Sequence, residues 1–386
     1  MTTEGRDLLQ QATHAELLQS AAPAPVDWVG HGLDAIIVPA SRPAENLKSA
    51  IDLALRARCH LVLLCSRDAN VSDVVLLLRE SGIGQDRATV VDVPADYEHD
   101  LFRFETSRWI RSSPGRQARA TRSSDLSVKR NIGLVLAHML GWQRIFFMDD
   151  DIRDVTADAL AALTGLLGTN GPAGPYRTAG MTVKEFPDNS VVCHARRDVK
   201  KDQDVFVSGS VLAVDCTAPF GFFPDIYNED WLFFYEDTAA KRLASPGFNA
   251  RQLPYDPYAN PHRAASEEFG DLIAEGLFSL LHAGLGLQAA TREYWSQFRN
   301  DRTRIIDNII SRLHIAPGEI QAEMAHALTT ARRTLNDIQP GMCVDYIRAW
   351  RDDLQIWEKR LQVLSQQGSV ADALRELGLP PADLAL

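Results

Sequence analysis

Three uninterrupted apolar runs of strand length, separated by stretches with helical periodicity, constrain this chain more than any other feature. Residues 34–39 (DAIIVP), 60–65 (HLVLLC) and 88–93 (ATVVDV) lack the polar alternation of a half-exposed strand, so they predict strands covered on both faces. Between them, residues 43–58 carry Leu47, Ile51 and Leu55 at four-residue spacing, and residues 71–80 put Val74, Val75 and Leu78 on one helix face. Strand, helix, strand, helix, strand is the order of a parallel sheet with right-handed crossovers. The expectation is an α/β fold, Rossmann-like, with a mostly parallel sheet flanked by helices.

The fourth unit carries chemistry. A helical pattern over residues 127–140 breaks at Gly141-Trp142, and the apolar strand 144–148 then ends in Asp149, Asp150 and Asp151. Carboxyl ends of strands form the ligand crevice of an open α/β sheet. Adjacent carboxylates repel as they lose water, so they call for a cation, a helix N-terminus or solvent. The alternate pair Asp149 and Asp151 can offer hard oxygens to Mg²⁺ or Mn²⁺, leaving Asp150 for a ribose or a structural bond. Equally open on these residues is an acidic loop capping the next helix, with Asp154 or Thr156 as N-cap.

A second acidic element, PDIYNEDWLFFYED, sets Asn228, Glu229 and Asp230 ahead of an aromatic run. A carboxylate held there can act as a base, or Asn228 can cap a helix whose first turn is acidic. The preceding residues 204–212 (DVFVSGSVL) predict a strand with a Gly turn, where Ser208 and Gly209 either line a site or pack a bend. His194, in VVCHARR, reads as a satisfied strand residue or an acceptor contact. From about residue 266 long amphipathic helices follow, over 267–285, 292–313, 319–337 and 345–366, with a short one at 370–377. Stripes such as Ile305, Ile306, Ile309, Ile310 and Leu313 read as packing surfaces. The expected organisation is a helical lead-in over 1–30, an α/β domain over 31–264 that carries both acidic elements, and a C-terminal helical region over 265–386.

Charge and cysteine usage narrow the classes. Forty basic against fifty-one acidic residues leave a formal charge of −11, which disfavours nucleic acid or an anionic membrane as a general partner. The exception is local: seven basic residues between Arg108 and Arg130 face only Asp125, as befits a loop meeting phosphate or carboxylate, or a solvated linker. Five scattered cysteines show no metal-ligand spacing and read as reduced core residues. No transmembrane segment is expected, since residues 272–290 contain Glu275 and His282 and read as a buried helix. The first residues lack a secretory signal, which points to a cytoplasmic protein.

The order Lys129-Arg130-Asn131-Ile132-Gly133-Leu134, then Ala137, Gly141 and IFFMDDD, resembles the GT-A glycosyltransferases of the family 2 type, as does the opening IIVPASRPAENL. The likeness extends over residues 34–152 and weakens towards residue 263. It implies a donor in which a nucleoside diphosphate, UDP- or GDP-linked, carries the sugar, and Mn²⁺ or Mg²⁺ held at Asp149 and Asp151. By the same resemblance His262, in the loop YANPHR, is a third ligand. Pro39, Ala40, Ser41, Arg42, Asp68, Lys129, Arg130, Asn131, Asp149 and Asp150 would contact the donor, and Ser208, Gly209 and Trp231 the acceptor. Asp230 would be the base that deprotonates an acceptor hydroxyl on a small molecule or glycan, with Glu229 supporting it and inversion as the outcome. The family often has paired aspartates after its second strand, where this chain has Cys65-Ser66-Arg67-Asp68.

Two rival readings are a sugar-phosphate nucleotidylyltransferase and a non-catalytic sugar-nucleotide-binding scaffold. The first needs a Gly-rich basic loop after the first strand, and PASRPAENL has no glycine. For the helical region, an acceptor cover, a homo-oligomer contact and docking on a membrane-bound partner are all compatible with the pattern.

Overall fold

The apolar runs pair edge to edge. The computed structural model describes residues 14–21, 32–84, 86–112, 125–184, 190–201 and 206–384. Its strands are β1 (Gln19–Ser20), β2 (Ala35–Ala40), β3 (His60–Cys65), β4 (Ala88–Asp92), β5 (Arg144–Met148), β6 (Ile152–Arg153), β7 (Asn170–Gly171), β8 (Gly174–Pro175), β9 (Thr178–Lys184), β10 (Val207–Asp215), β11 (Leu243–Ser245) and β12 (Asn249–Gln252). All but β7 and β8 join one sheet, whose main path runs β1-β11-β9-β10-β5-β2-β3-β4, with β12 and β6 off the β9 edge. Strands β5, β2, β3 and β4 are mutually parallel, and β10 runs antiparallel between β5 and β9.

Successive residues of each central strand enter opposite cores. Ile36, Val38, Leu61, Leu63, Phe146 and Met148 pack beneath α1 (Lys48–Ala57), α2 (Val71–Glu80) and α5 (Ala157–Leu166). Ile37, Val62, Leu64, Ile145 and Phe147 face α4 (Leu126–Leu140) on the other side. Helix α4 seats closely because residue 133 is glycine: a β-carbon there would lie 2.8 Å from Ile37 Cγ2 and 3.1 Å from Phe147 Cε1. Gly141, at φ +64°, ends α4 in the left-handed conformation that lets the chain turn into β5.

Three expectations need correction. The segment holding His194 is a helix, α6 (Val191–Asp198), started by Ser190, whose Oγ accepts from Cys193 N at 3.3 Å. The 264/265 boundary falls inside α9 (Pro261–His282). The tail helices α10 (Arg292–Ser311), α11 (Gln321–Asp337), α12 (Pro340–Gln362) and α13 (Val370–Glu376) also share the α4-side core, where Trp295, Leu328, Trp350 and Trp357 join the same apolar cluster as Phe147. Asp353 of α12 accepts from the backbone N–H of Glu105 and Thr106, both at 2.8 Å, and so caps α3 (Glu105–Ser112) from outside its own chain segment. The tail is thus built into the α4-side core rather than standing apart from the sheet.

Of the expected lead-in helix, residues 1–13 lie outside the described residues, and residues 14–17 form one 3₁₀ turn against α9. The central part of the basic stretch, 113–124, also lies outside them. All five cysteines are free thiols. Among the described residues, no helix is long and apolar enough to cross a membrane.

Candidate functional site

The site forms where β2 and β5 end and β10 begins. Parallel pairing of β2 with β5 brings Ser41 and Arg42 beside the three aspartates, and antiparallel pairing returns β10 to them, with Ser210 O accepting from Asp149 N at 3.0 Å. The acids are bound in three different ways. Asp150, 2% exposed, accepts from Ser41 N at 2.6 Å, Arg42 N at 2.8 Å and Arg42 Nη1 at 2.5 Å. Asp151 faces Arg42 Nη2 at 2.8 Å and accepts from Gln252 Nε2 at 3.0 Å. Both oxygens of Asp149 accept from Arg130 Nη2 at 3.0 Å. The repulsion foreseen from sequence is therefore offset by two guanidinium groups.

Arg130 joins the two acidic elements. It is 2% exposed, and its Nη1 donates to Glu229 Oε1 while Nη2 serves Asp149. Burial alone would lower its pKa, but Asp149, Glu229 and Asp230 hold it above the ordinary arginine value. Burial pushes Glu229 up, to about 8, against the pull of Arg130 and with Asp230 adding to the rise. Asp230, next in sequence, accepts from Gly209 N at 2.6 Å through Oδ2 and from Trp231 N at 2.9 Å through Oδ1. A β-carbon on residue 209 would stand 2.6 Å from Asp230 Cβ and 2.9 Å from Arg130 Nη1, so glycine is what allows this approach.

Other expected residues take structural places. Lys129, 1% exposed, donates to Ala40 O at 2.7 Å and Ser66 Oγ at 2.6 Å and pairs with Asp125 at 3.2 Å, bracing the ends of β2 and β3. Desolvation lowers its pKa, with Asp125 opposing. Asn131 exchanges two 2.8 Å bonds with the backbone of Phe223. Pro39 and Ala40 are the last residues of β2 and contribute backbone. Asp68 is exposed in the turn after β3, its N–H donating to Ser41 O at 3.2 Å, so it stays at the rim of the crevice. Ser208 Oγ is bonded to Ser210 Oγ at 2.8 Å. Trp231 is half-buried, edge-on to His14 with ring centroids 5.2 Å apart and packed on Phe278 at 4.6 Å. His194 is buried between Tyr255 Oη at 3.0 Å and Arg197 Nη2 at 2.8 Å, and burial pushes it down to about 3.

The two capping alternatives separate. Thr156 does cap α5, accepting from Ala159 N at 3.1 Å. Asn228 precedes α7 (Glu229–Phe233) without a side-chain cap bond, and its amide reaches Asp271 instead. Gln252 and Asp271 escaped the sequence reading, since both come from elements remote in the chain with no local motif.

For a hard divalent cation the donors are all oxygen, which suits Mg²⁺ or Mn²⁺. Asp149 is held by Arg130, and Arg42, whose side chain is 41% exposed, already sets a positive charge against Asp151. Two carboxylates plus substrate phosphates are a sufficient protein share for such an ion. A third protein ligand does not join them: among the described residues no three His, Cys, Asp or Glu side chains group as a metal site, and His262 is exposed at the start of α9. No protein-family model matches this chain, and no curated protein matches it.

Proposed function

We propose that the protein transfers a sugar from a nucleoside-diphosphate donor to an acceptor hydroxyl, with inversion and with Asp230 as the base. The observation that carries this reading is the bridge of Arg130 from Asp149 at the strand end to Glu229 beside Asp230, which brings a phosphate-side acid cluster and a candidate base to one crevice. In an open α/β sheet that crevice is where nucleotides bind.

A divalent cation held by Asp149 and Asp151 would supply Lewis-acid neutralisation of the diphosphate. The chain's own residues do the rest. Arg42, with its guanidinium at the crevice rim, pairs with phosphate oxygens once it leaves Asp151. Asp230 takes the acceptor proton as the acceptor oxygen bonds to the anomeric carbon, while the bond from that carbon to the diphosphate oxygen breaks and its electron pair leaves with the nucleoside diphosphate. Two backbone N–H groups, those of Gly209 and Trp231, fix the direction of the Asp230 carboxylate. Glu229 supports Asp230 by holding Arg130.

The test is a thermal-shift screen of UDP- and GDP-linked sugars with and without Mn²⁺, because a ligand of the folded state raises its melting temperature. One donor is expected to stabilise the protein chiefly with metal. Asp230→Asn should keep that shift and lose transfer; full transfer by Asp230→Asn would remove the base from this reading, and a shift without transfer in the parent protein would favour a binding scaffold.

A further inference from the structure

Asn228, the residue ahead of the acid pair, has φ 61° and ψ 37°, a left-handed conformation that is uncommon outside glycine and that asparagine takes more readily than most residues. Its side chain is anchored from outside the α/β sheet. Asn228 Nδ2 donates to Asp271 Oδ1 at 2.8 Å, and the other oxygen of Asp271 accepts from Arg302 Nη2 at 2.7 Å. Arg302, on α10, is itself held by Glu268 Oε1 at 2.5 Å and Oε2 at 3.0 Å. Asp271, Arg302 and Glu268 are all buried.

A second, independent feature presses the same turn against α9. A β-carbon at Gly270 would fall 2.2 Å from Tyr227 O, so the helix backbone meets the loop one residue before Asn228. The contact and the polar chain act on adjacent residues, 227 and 228, and fix where α7 begins. The next two residues are Glu229, which grips Arg130, and Asp230, which accepts from Gly209 N.

We propose that Asp271 and Arg302 are positioning residues of the helical region, which set the aim of Asp230 through the left-handed turn at Asn228. The proposal rests on the reading of Asp230 as base for its functional consequence, and on the geometry alone for its structural one. It gives the C-terminal helices a role that no motif in them discloses: they carry the far half of a clamp on the second acidic element.

The experiment uses the full chain and the variants Asp271→Ala, Asn228→Ala, Asn228→Gly and Asp230→Asn. Hydrogen–deuterium exchange is followed at residues 227–235 and 207–210, with residues 35–40 of the central sheet as the internal reference. Asp271→Ala and Asn228→Ala should each speed exchange in both reporter segments by about tenfold or more and leave the reference unchanged. Asn228→Gly should do so less, because glycine takes the left-handed conformation without a side-chain anchor. Release of UDP from UDP-glucose or UDP-N-acetylglucosamine, or of GDP from GDP-mannose, is measured alongside with Mn²⁺ present. There kcat should fall in the same order with donor KM within about twofold, a split that simple loss of stability does not produce. Unchanged exchange at 227–235 in Asp271→Ala overturns the clamp. Faster exchange with unchanged kcat, while Asp230→Asn is inactive, overturns its positioning role. If Asp230→Asn remains active, or none of the three donors is turned over, the function reading fails or lies beyond those donors, and the exchange result alone decides the clamp. Should Asp271→Ala fail to fold, Asn228→Ala against Asn228→Gly gives the same decision.

Discussion

Gly209 and Asp230 touch backbone to side chain: the Gly209 N–H donates to Asp230 Oδ2 at 2.6 Å, and a β-carbon on residue 209 would come within 2.6 Å of Asp230 Cβ. Gly209→Ala must therefore push Asp230 and Arg130 aside. The expected result is transfer lowered by about a hundredfold, in line with losing the alignment of a reacting group, while donor-induced thermal stabilisation remains. Transfer within about threefold of the parent would show that the carboxylate tolerates displacement.

Arg42 sets one positive charge against Asp150 and Asp151, and those two carboxylates hold it above the ordinary arginine value although burial alone would lower it. Arg42→Ala should leave the acids with a larger unbalanced charge. Binding of Mn²⁺ alone, followed by electron paramagnetic resonance, should tighten by about tenfold, whereas UDP binding should weaken. Equal Mn²⁺ affinity in both proteins would mean that Arg42 and the cation do not compete.

Stability should fall between pH 6.5 and 8.5. Glu229 is raised to about 8, and Glu267 and Glu268 to about 7, each from an ordinary 4.5 and chiefly by burial. The folded state thus keeps protons that the unfolded chain has released. That contribution is complete below pH 4.5 and disappears as pH rises through 7 to 8. Below pH 6.5, His194 and His60 act in the opposite sense, since burial holds both under the usual histidine value. The melting temperature should therefore drop by several degrees across the stated window, and less in Glu229→Gln. A flat or rising profile there would contradict the burial of these groups.

Asp353 accepts from two backbone N–H groups and from Thr106 Oγ1 at 2.8 Å, and its residue is fully buried. Asp353→Ala would leave three donors unsatisfied at the start of α3. Each costs about 1–3 kcal/mol, so a loss of roughly 3 kcal/mol or more is expected in denaturant unfolding. A change under about 1 kcal/mol would show that water replaces the carboxylate freely.

Lys129→Met tests a residue that the resemblance sets at a donor and that lies buried against Ala40 O, Ser66 Oγ and Asp125. Removing the ammonium should destabilise the chain by roughly 3–5 kcal/mol, the usual effect of breaking a buried pair, with nucleotide affinity unchanged in the protein that still folds. A large affinity loss without destabilisation would return Lys129 to the donor site.

The strands, their parallel order and the placement of Asp149 to Asp151 after β5 were legible in the sequence because each follows from local patterning: apolar runs of one length, helical spacing between them, and a glycine break. The amphipathic tail helices were legible for the same reason. Partnership was not. That Arg130 bridges Asp149 to Glu229, that Arg42 rather than Lys129 answers the other aspartates, and that Arg302 reaches Asn228 through Asp271 depend on separations of tens to over a hundred residues. Charge and hydrogen bonding act over a few ångströms in space and leave no period along the chain. The seating of α7 on β10 and α9, with Arg130 of α4 reaching Glu229 at its start, decides which acids and bases meet.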